Sequence, residues 1–464
     1  VFAIADAEAT EGNALTFTVT RTGDTQTAQA VTLATAINVS DTASENDFTP
    51  KTETLTFAVG ETEKTFTVET AEDFRVEENE TFTVNLSSAA NGATISSTNG
   101  VAKGTINDDD IPLASINNNN IFTIKGISES VRLKATLISS SSSVVNELGV
   151  FAVDDEDGSI EGIKPGEQGY NEAALERARL QGKSIFSTLA NLPDLFKTEI
   201  DTNSLTRLLG FNSGSHLQFF LVREGTIDGF RAGNISTTNI VFAESSTQIV
   251  TQEEGSFTLS WKESSTITEF NSLVVKIEST EELSTIGTKY QGDNQAELID
   301  LTGITGTVRA DFSVFREAAF NNEVYFYKVD TAQGEIGGLQ ATAANRTNYL
   351  QAAINNLLTD VDSGEAIKFA VANQGKFTDS AIIAGGSIFA PMIIVNGSLS
   401  QLTDSNTSND PQVYFPYLGV NSDGVDHIRL LGDNTFGFED LPGGGDLDYN
   451  DIIIKFNFSI TPVG

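Results

Sequence analysis

The fold is decided first by a short alternating stretch, Leu15-Thr16-Phe17-Thr18-Val19-Thr20. The same period of two returns in Leu55-Thr56-Phe57-Ala58-Val59, Thr65-Phe66-Thr67-Val68 and Thr81-Phe82-Thr83-Val84-Asn85-Leu86. Alternate side chains of a strand face opposite sides of its sheet, so the pattern predicts half-buried antiparallel strands. Glycine-containing turn sequences separate these runs. The N-terminal segment is therefore predicted to be a β-sandwich.

The composition limits the classes of function. Of the 464 residues, 64 are Asp or Glu and 27 are Lys or Arg, so the formal net charge is -37. Such a chain is expected to bind cations and to avoid nucleic acid and anionic lipid. There is no Cys, and His216 and His427 are its only histidines, which disfavours an enzyme. No apolar run of about 18 residues occurs, so no membrane span is expected.

Residues 1–110 resemble the Calx-beta domain, a calcium-binding, immunoglobulin-like β-sandwich. The resemblance is carried by Glu11-Gly12-Asn13, Asn46-Asp47-Phe48, Leu55-Thr56-Phe57, Gly60-Glu61-Thr62, the stretch from Asp73 to Ser87, and Gly104-Thr105-Ile106-Asn107-Asp108-Asp109. It implies calcium between loops at one end of the sandwich. The implied ligands are Glu11, Asp47, Asp73, Glu77, Asp108, Asp109 and Asp110. Glu78 and Glu80 lie nearby, and alternation leaves their direction open. The alternative is that these acids only solvate loop tips.

The rest of the chain contains two copies of one unit. Three sets of matches occur in order: Gly126 with Gly303 at an offset of 177, Asp154 with Asp330 at 176, and Phe270 with Tyr449 at 179. Together with the length, this predicts three domains, 1–110, 111–285 and 286–464. Each copy is predicted to be β-rich with one short helix, at 171–180 and 348–358, and with later strands at 217–222 and 367–371. The serine-rich stretch 139–143 is predicted to be a loop.

The second copy ends in an acidic, glycine-rich loop, residues 436–451. Its sequence is Phe436-Gly437-Phe438-Glu439-Asp440-Leu441-Pro442-Gly443-Gly444-Gly445-Asp446-Leu447-Asp448-Tyr449-Asn450-Asp451. So many carboxylates in a few residues repel one another unless a cation lies among them, and oxygen ligands suit Ca²⁺. The predicted ligands are Glu439, Asp440, Asp446, Asp448, Asn450 and Asp451. The loop also resembles the C-terminal domain of unknown function of many large secreted bacterial proteins, which implies secretion and calcium.

The first copy has lost most of this chemistry. At an offset of 179, its residues Ser260, Trp261, Ile267 and Glu269 stand against Glu439, Asp440, Asp446 and Asp448. The first copy is therefore predicted to be metal-poor, with Trp261 buried where the other copy has Asp440. A further acidic cluster, 154–157, is interpreted as a solvated hairpin tip, with a calcium-binding turn as the alternative. His427 lies beside Asp426, but no nucleophile and base accompany it, so no catalytic residue is predicted.

These observations favour a secreted, calcium-binding structural protein of a bacterial cell surface, filament or extracellular matrix that supports adhesion or assembly. Its predicted partners are calcium ions, further copies in a filament or lattice, and a surface glycan or protein. Because the chain opens at Val1 rather than Met, we expect a processed or truncated product. Two alternatives stay open: an adhesin module that binds a carbohydrate or a protein, and a metal-dependent hydrolase.

Overall fold

The computed structural model describes the whole chain except residues 72–76, 109–112, 117–119, 125–129, 143, 190–191, 201–204, 244–246, 254–255, 264–267, 281, 283, 292–296 and 461–464. The described residues form two compact units. The first contains residues of 1–108, and the second contains those of 113–124 and 130–460.

The first unit is a β-sandwich, as predicted. Its described strands are β1 (Phe2–Ile4), β2 (Ala7–Thr10), β3 (Ala14–Arg21), β4 (Gln29–Ala36), β5 (Thr52–Phe57), β6 (Glu63–Glu69), β7 (Glu80–Ser87) and β8 (Val101–Asn107). They form two sheets in the orders β1-β3-β6 and β2-β8-β7-β4-β5. Alternate residues of β3 are buried, which is the period of two that the sequence shows. Phe17 of one sheet and Phe82 of the other pack edge to face in a shared core, with ring centroids 6.0 Å apart.

The second unit holds both copies of the repeat. The described elements of the first copy are β9 (Leu113–Ile116), β10 (Ile121–Ile124), β11 (Ser130–Ser140), β12 (Glu147–Val153), α1 (Tyr170–Gln181), β13 (Lys183–Ser187), α2 (Asp194–Glu199), β14 (Thr206–Asn212), β15 (His216–Val222), α3 (Ile227–Arg231), β16 (Ile240–Phe242), β17 (Gln248–Glu253), β18 (Ser256–Trp261) and β19 (Leu273–Ser279). Those of the second copy are β20 (Ile299–Asp300), β21 (Thr307–Arg316), β22 (Glu323–Val329), α4 (Arg346–Asn355), β23 (Lys376–Ala384), β24 (Ile388–Ile394), α5 (Leu399–Thr403), β25 (Val413–Tyr414), β26 (Ile428–Gly432), β27 (Thr435–Phe438) and β28 (Ile452–Ile460).

The sheet topology confirms the duplication. The order β14-β11-β19-β18-β17 in the first copy corresponds strand for strand to β23-β21-β28-β27-β26 in the second. The other sheets share the order β10-β15-β12 and β20-β24-β22. Even single contacts recur: Tyr170 Oη donates to Gly158 O at 2.9 Å, and Tyr349 Oη donates to Gly334 O at 2.8 Å. These tyrosines begin or lie in α1 and α4, so each predicted helix covers one sheet of its copy.

Two local predictions were wrong. Residues 367–371 form no strand: within them only Phe369 makes an isolated bridge, to Val324. Their apolar side chains pack on the core, whereas the strand of the sheet is β23, whose exposed first half hides its period. The serine stretch is only partly a loop, because Ser139 and Ser140 pair with β19. Backbone pairing past a bulge after Leu137 outweighs the weak strand preference of serine. Ser143 lies outside the described residues.

The two copies pack against each other through both apolar and charged side chains. Phe196 of α2 meets Phe315 of β21 edge to face, with ring centroids 5.3 Å apart. The fully buried Arg207 lies 3.7 Å from Asp433, measured from Nε to Oδ1. Arg429 Nη2 binds the buried Glu147 carboxylate of the first copy. The domain boundaries predicted at 110/111 and 285/286 stay predictions.

Candidate metal centre

The C-terminal loop begins where β27 ends and returns to the sheet at β28. Its backbone is tied to the sheet by an N–H···O bond from Glu439 to His427, 2.9 Å long, and by a bridge between Phe438 and Asn450. Gly443, Gly444 and Gly445 all have positive φ, at 75°, 82° and 51°. A side chain on Gly445 would also collide with the Glu439 carboxylate. Glycine is therefore required for the loop to curl over Glu439.

The curled loop brings together five of the predicted acids. They form two groups that share one member: Glu439 with Asp440 and Asp451, and Glu439 with Asp446 and Asp448. Within each group, one ligand atom from every residue lies within 4.8 Å of the others. Glu439 and Asp440 are only 1% and 3% exposed, whereas Asp446 is exposed. The predicted ligand Asn450 is buried and donates its Nδ2 to Asp448 Oδ2 at 2.8 Å, so it orients a carboxylate of the cluster.

The electrostatics of this cluster favour a bound cation. Burial, followed by the charge of Asp451, raises the pKa of Glu439 to about 9. Burial also raises the pKa of Asp451 to about 7 and that of Asp440 above its ordinary value. The Glu439 Oε2 atom is buried and accepts no hydrogen bond from the described residues. These are the features of an oxygen-only site for a hard cation, because a cation would stabilise the ionised carboxylates that burial and repulsion disfavour.

Protein donors hold the first group in position. Asp451 Oδ2 accepts a hydrogen bond from Asp440 N at 2.7 Å, and Asn322 Nδ2 donates to Asp440 Oδ2 at 2.6 Å. Asn322 is fixed in turn, because its Oδ1 accepts a hydrogen bond from Asn396 N at 2.9 Å. Asp440 is therefore oriented before any ion binds, which is the role of an outer ligand shell. Asn322 was not predicted, since 118 residues separate it from Asp440 and no local motif marks it.

The first copy preserves this frame with different chemistry. Asn146 Nδ2 donates to Glu263 Oε2 at 2.7 Å, and Glu263 N donates to Ser272 Oγ at 3.2 Å. Glu263 thus makes the contacts of Asp440, and Ser272 takes the place of Asp451. The prediction that Trp261 stands at the position of Asp440 was wrong by two residues. Trp261 ends β18 as Phe438 ends β27, and the loop that follows is two residues longer in the second copy. Trp261 itself is fully buried, as predicted. Ile267 lies outside the described residues.

A second group of acids lies at one end of the N-terminal sandwich. Asp47, Glu77 and Glu80 offer carboxylate oxygens within 4.8 Å of one another. Backbone hydrogen bonds bring the other loops to this end: Gly12 N donates to Ala71 O at 2.9 Å, and Ala71 N donates to Asp47 O at 2.8 Å.

The remaining predicted ligands of the sandwich divide into two sets. Glu11 is buried, and its N–H donates to Asn107 O at 3.1 Å, next to Asp108. Asp108 N donates to Asn79 Oδ1 at 3.3 Å, which links it to the Glu77–Glu80 segment. Asp73, Asp109 and Asp110 lie outside the described residues, so their roles stay predictions.

Glu80 was absent from the predicted ligand set. It is the first residue of β7, two positions before the buried Phe82, so strand alternation places it on the core side of the sheet. The even spacing between Glu80 and Phe82 is visible in the sequence and could have identified Glu80 as a ligand. Glu78 belongs to none of the carboxylate groups that the described residues form.

The other acidic and basic candidates have structural partners. Asp154 pairs with Arg177 at 2.9 Å and accepts a hydrogen bond from Glu161 N at 2.5 Å, and Asp157 pairs with Lys164 at 3.0 Å. These contacts fit a hairpin tip. His427 is fully buried, and its Nε2 lies 3.1 Å from Asp423 Oδ2.

His427 acts as a brace for the C-terminal loop. Its ring stacks on Tyr414 with centroids 3.4 Å apart, and its Nδ1 lies 3.0 Å from Glu439 O. Asp423 continues this chain of contacts, because its Oδ2 accepts a hydrogen bond from Gly443 N at 2.9 Å. All these contacts position the loop that carries the acids.

Comparison with known proteins gives a different family match for each of the two acidic regions. Residues 5–110 match the Calx-beta domain model. Residues 383–459, which include the C-terminal loop, match the model of a domain of unknown function, DUF4114. Both predicted resemblances are thus confirmed. No curated protein matches the chain.

Among solved structures, the chain is similar to the apo-form Calx CBD1 domain, with 26% identity over 23% of this chain and 99% of that one, at a TM-score of 0.21. It is also similar to the calcium binding domain CBD12 of CALX1.1, with 18% identity over 48% of this chain and 77% of that one, at a TM-score of 0.22. In the part of the chain that the structure describes, no helix has the length and apolar character needed to span a membrane.

Proposed function

We propose that this protein is a calcium-stabilised structural protein of a bacterial cell surface, filament or extracellular matrix, and that it supports adhesion or assembly. The carrying observation is the buried acidic cluster around Glu439. Several carboxylates there are removed from water and placed against one another, an arrangement that costs free energy unless a cation compensates it. Calcium is the ion of choice, because the cluster offers oxygen ligands only and because the Calx-beta model matches the other acidic end.

A structural role is supported by what lies around the acidic sites. Each site joins loops or strand ends within a β-sheet framework, and the two groups of the C-terminal loop consist of Asp and Glu side chains. Calcium at such places stabilises the folded state by mass action, since it binds the folded chain and not the unfolded one. Extracellular calcium modules bind with Kd of about 10⁻⁴ to 10⁻³ M, so they are loaded outside the cell and empty inside it.

The net charge supports calcium-dependent assembly. With a formal charge of -37, copies of the chain repel one another. The sheets of the second unit end in strands such as β17 and β23, which pair with one neighbour each among the described strands. Edges of this kind can pair with another chain. Bound calcium makes the net charge less negative, and we therefore propose that it promotes association through such edges.

Calcium titration of the full chain by calorimetry tests the first part of the proposal. We expect binding in the micromolar to millimolar range. We expect it to weaken separately in Asp47→Asn/Glu80→Gln, at the N-terminal end, and in Asp440→Asn/Asp448→Asn, at the C-terminal loop. The matched control is Asp410→Asn, at an exposed acid in the loop after α5, which should leave binding unchanged. The absence of binding heat at millimolar calcium would overturn the proposal.

Electron microscopy and light scattering, with calcium and with chelator, test the second part. We expect filaments, lattices or larger particles in calcium and single particles in chelator. Monodisperse monomer in calcium at high protein concentration contradicts assembly while leaving calcium binding intact. In that case, retention on glycan or cell-surface material would favour the adhesin alternative.

A further inference from the structure

The C-terminal cluster contains two distinct groups of ligands. Asp440 and Asp451 lie on the sheet side, at the end of β27 and the start of β28. Asp446 and Asp448 lie in the glycine-rich loop. The ligand atoms come within 4.8 Å of one another inside each group, and Glu439 is the one residue that belongs to both. A cluster built around one ion would instead bring all five acids to one point.

Glu439 is placed to serve both groups. Its side chain is almost completely buried, Oε1 accepts a hydrogen bond from Leu441 N at 3.2 Å, and Oε2 accepts none from the described residues. A carboxylate has two oxygens and about four lone-pair directions, so one group can bridge two cations. A buried oxygen without a donor is costly unless a cation is its partner.

The charges of the cluster also indicate two ions. Once bound cations keep all five carboxylates ionised, these carry five negative charges, and Arg316 supplies one positive charge that acts on Asp440 and Asp451. One divalent cation leaves two negative charges in a largely buried site. Two divalent cations leave none. Because uncompensated buried charge is strongly unfavourable, two bound cations are preferred over one.

We propose that the C-terminal cluster is a two-calcium centre in which Glu439 bridges both ions. The first ion is held by Glu439, Asp440 and Asp451, and the second by Glu439, Asp446 and Asp448. This inference rests on the proposed function, since it needs calcium at the loop. The second site includes the exposed Asp446, so it exchanges its ion faster than the first.

Flow dialysis of the full chain with radiolabelled calcium tests the proposal by counting bound ions. The variants are Asp446→Asn, Asp451→Asn and Glu439→Gln, with Asp410→Asn as the exposed control. We expect Asp446→Asn and Asp451→Asn each to lose one ion relative to the wild type, and Glu439→Gln to lose two. Circular dichroism monitors folding, and the double variant Asp446→Asn/Asp451→Asn provides a second route to the loss of two ions if Glu439→Gln does not fold.

The possible outcomes distinguish the failure of this inference from that of the proposed function. If the double variant loses only one ion, the cluster holds a single ion and the two-calcium centre is wrong. The same conclusion follows if either Asp446→Asn or Asp451→Asn alone removes all the binding that the double variant removes. If none of the variants changes the count, the loop binds no calcium, and the proposed role of this loop fails as well.

Discussion

The two copies of the repeat hold the same loop position in chemically opposite ways. In the first copy, the Glu263 carboxylate accepts hydrogen bonds from Asn146 and from the Ser142 hydroxyl. In the second, the matching Asp440 accepts one from Asn322 and lies among other carboxylates. The asparagine frame is common to both, because Asn146 Oδ1 accepts from Glu224 N at 3.0 Å, as Asn322 Oδ1 does from Asn396 N at 2.9 Å.

This difference shows that the fold does not need the acids. Neutral donors suffice to satisfy a single carboxylate at the first position, and the surrounding sheet has the same strand order. The extra carboxylates of the second copy therefore add repulsion without adding to the framework. The proposed calcium would explain their presence, and the first copy, which the sequence predicts to be metal-poor, then serves as a reference within the same chain.

The largest expected effect comes from breaking the contact between the copies. Arg429 binds Glu147 of the first copy and lies 3.2 Å from Asp426, measured from Nη1 to Oδ2, and all three side chains are buried. Arg429→Met leaves two buried carboxylates without their cation, so we expect a loss of about 3–5 kcal/mol in the free energy of unfolding. Urea denaturation measures it, with Arg309→Met, at an exposed arginine, as the control. A loss no larger than that of the control would show that the junction between the copies does not depend on the charge of Arg429.

The ion pairs across the junction also mean that the two copies cannot be compared as separate fragments. Residues 111–285 and 286–464, expressed separately, would leave Glu147 and Arg207 in one fragment and Arg429 and Asp433 in the other. Each fragment would then lose the ion pairs that cross the junction in the intact chain. The comparison therefore requires the intact chain.

The next largest effect is expected from calcium removal. A ligand that binds only the folded state adds about 2.7 kcal/mol at a hundredfold excess over Kd. Hydrogen exchange with calcium and with chelator locates the effect in the intact chain. We expect residues 438–452 to lose protection in chelator and the matching residues 261–263 and 268–273 to keep it. Equal loss in both copies would show that the loop has no special dependence on calcium.

A smaller effect is expected from exchanging one residue between the copies. Asp451→Ser gives the second copy the residue of the first, and we expect at least a tenfold loss of calcium affinity, about 1.4 kcal/mol. In chelator the same variant should be more stable than the wild type, because one repelling carboxylate is gone. The reverse change, Ser272→Asp, should destabilise the first copy without creating calcium binding, since the described residues around position 272 form no carboxylate group that could hold an ion. Melting temperatures with and without calcium measure both, and a variant at 451 that is less stable in both conditions would contradict the repulsion argument.

The sequence predicted what local patterns encode. The period of two in residues 15–20 identified the sandwich, and the glycines at 443–445 identified the curled loop, because each feature depends on neighbours in the chain. Pairings over long distances were not accessible: 282 residues separate Glu147 from Arg429. Glu263 was missed because a fixed offset cannot follow a loop that differs in length: the loop after this strand spans 262–272 in the first copy and 439–451 in the second, two residues more. Glu80 could have been found from its parity with Phe82.

The smallest expected effect concerns the turn at Asp154. In the first copy a basic side chain pairs with this aspartate, and in the second copy the matching position is neutral. Arg177 pairs with Asp154 at 2.9 Å, whereas the matching position, counted from Tyr170 and Tyr349, holds the neutral Asn356, and Asp330 accepts from Gly337 N. The hydrogen bond from Arg177 lowers the pKa of Asp154 below its ordinary value. The stabilisation is therefore present above the unfolded pKa of about 3.9 and is lost as the pH falls through the lower folded pKa.

Arg177→Ala measures this contribution. Because Asp154 is exposed and the pair is partly screened by solvent, we expect a loss of about 0.5 kcal/mol at pH 7. The difference between variant and wild type should shrink as the pH falls below about 4, when Asp154 becomes protonated. Thermal melts across this range, in chelator so that calcium does not contribute, provide the measurement. Arg177 also donates to Ala152 O at 3.1 Å, a bond that does not titrate. A difference that stays constant with pH would assign the effect to that backbone contact, and the charge pair of the first copy would then have no energetic advantage over the uncharged arrangement of the second.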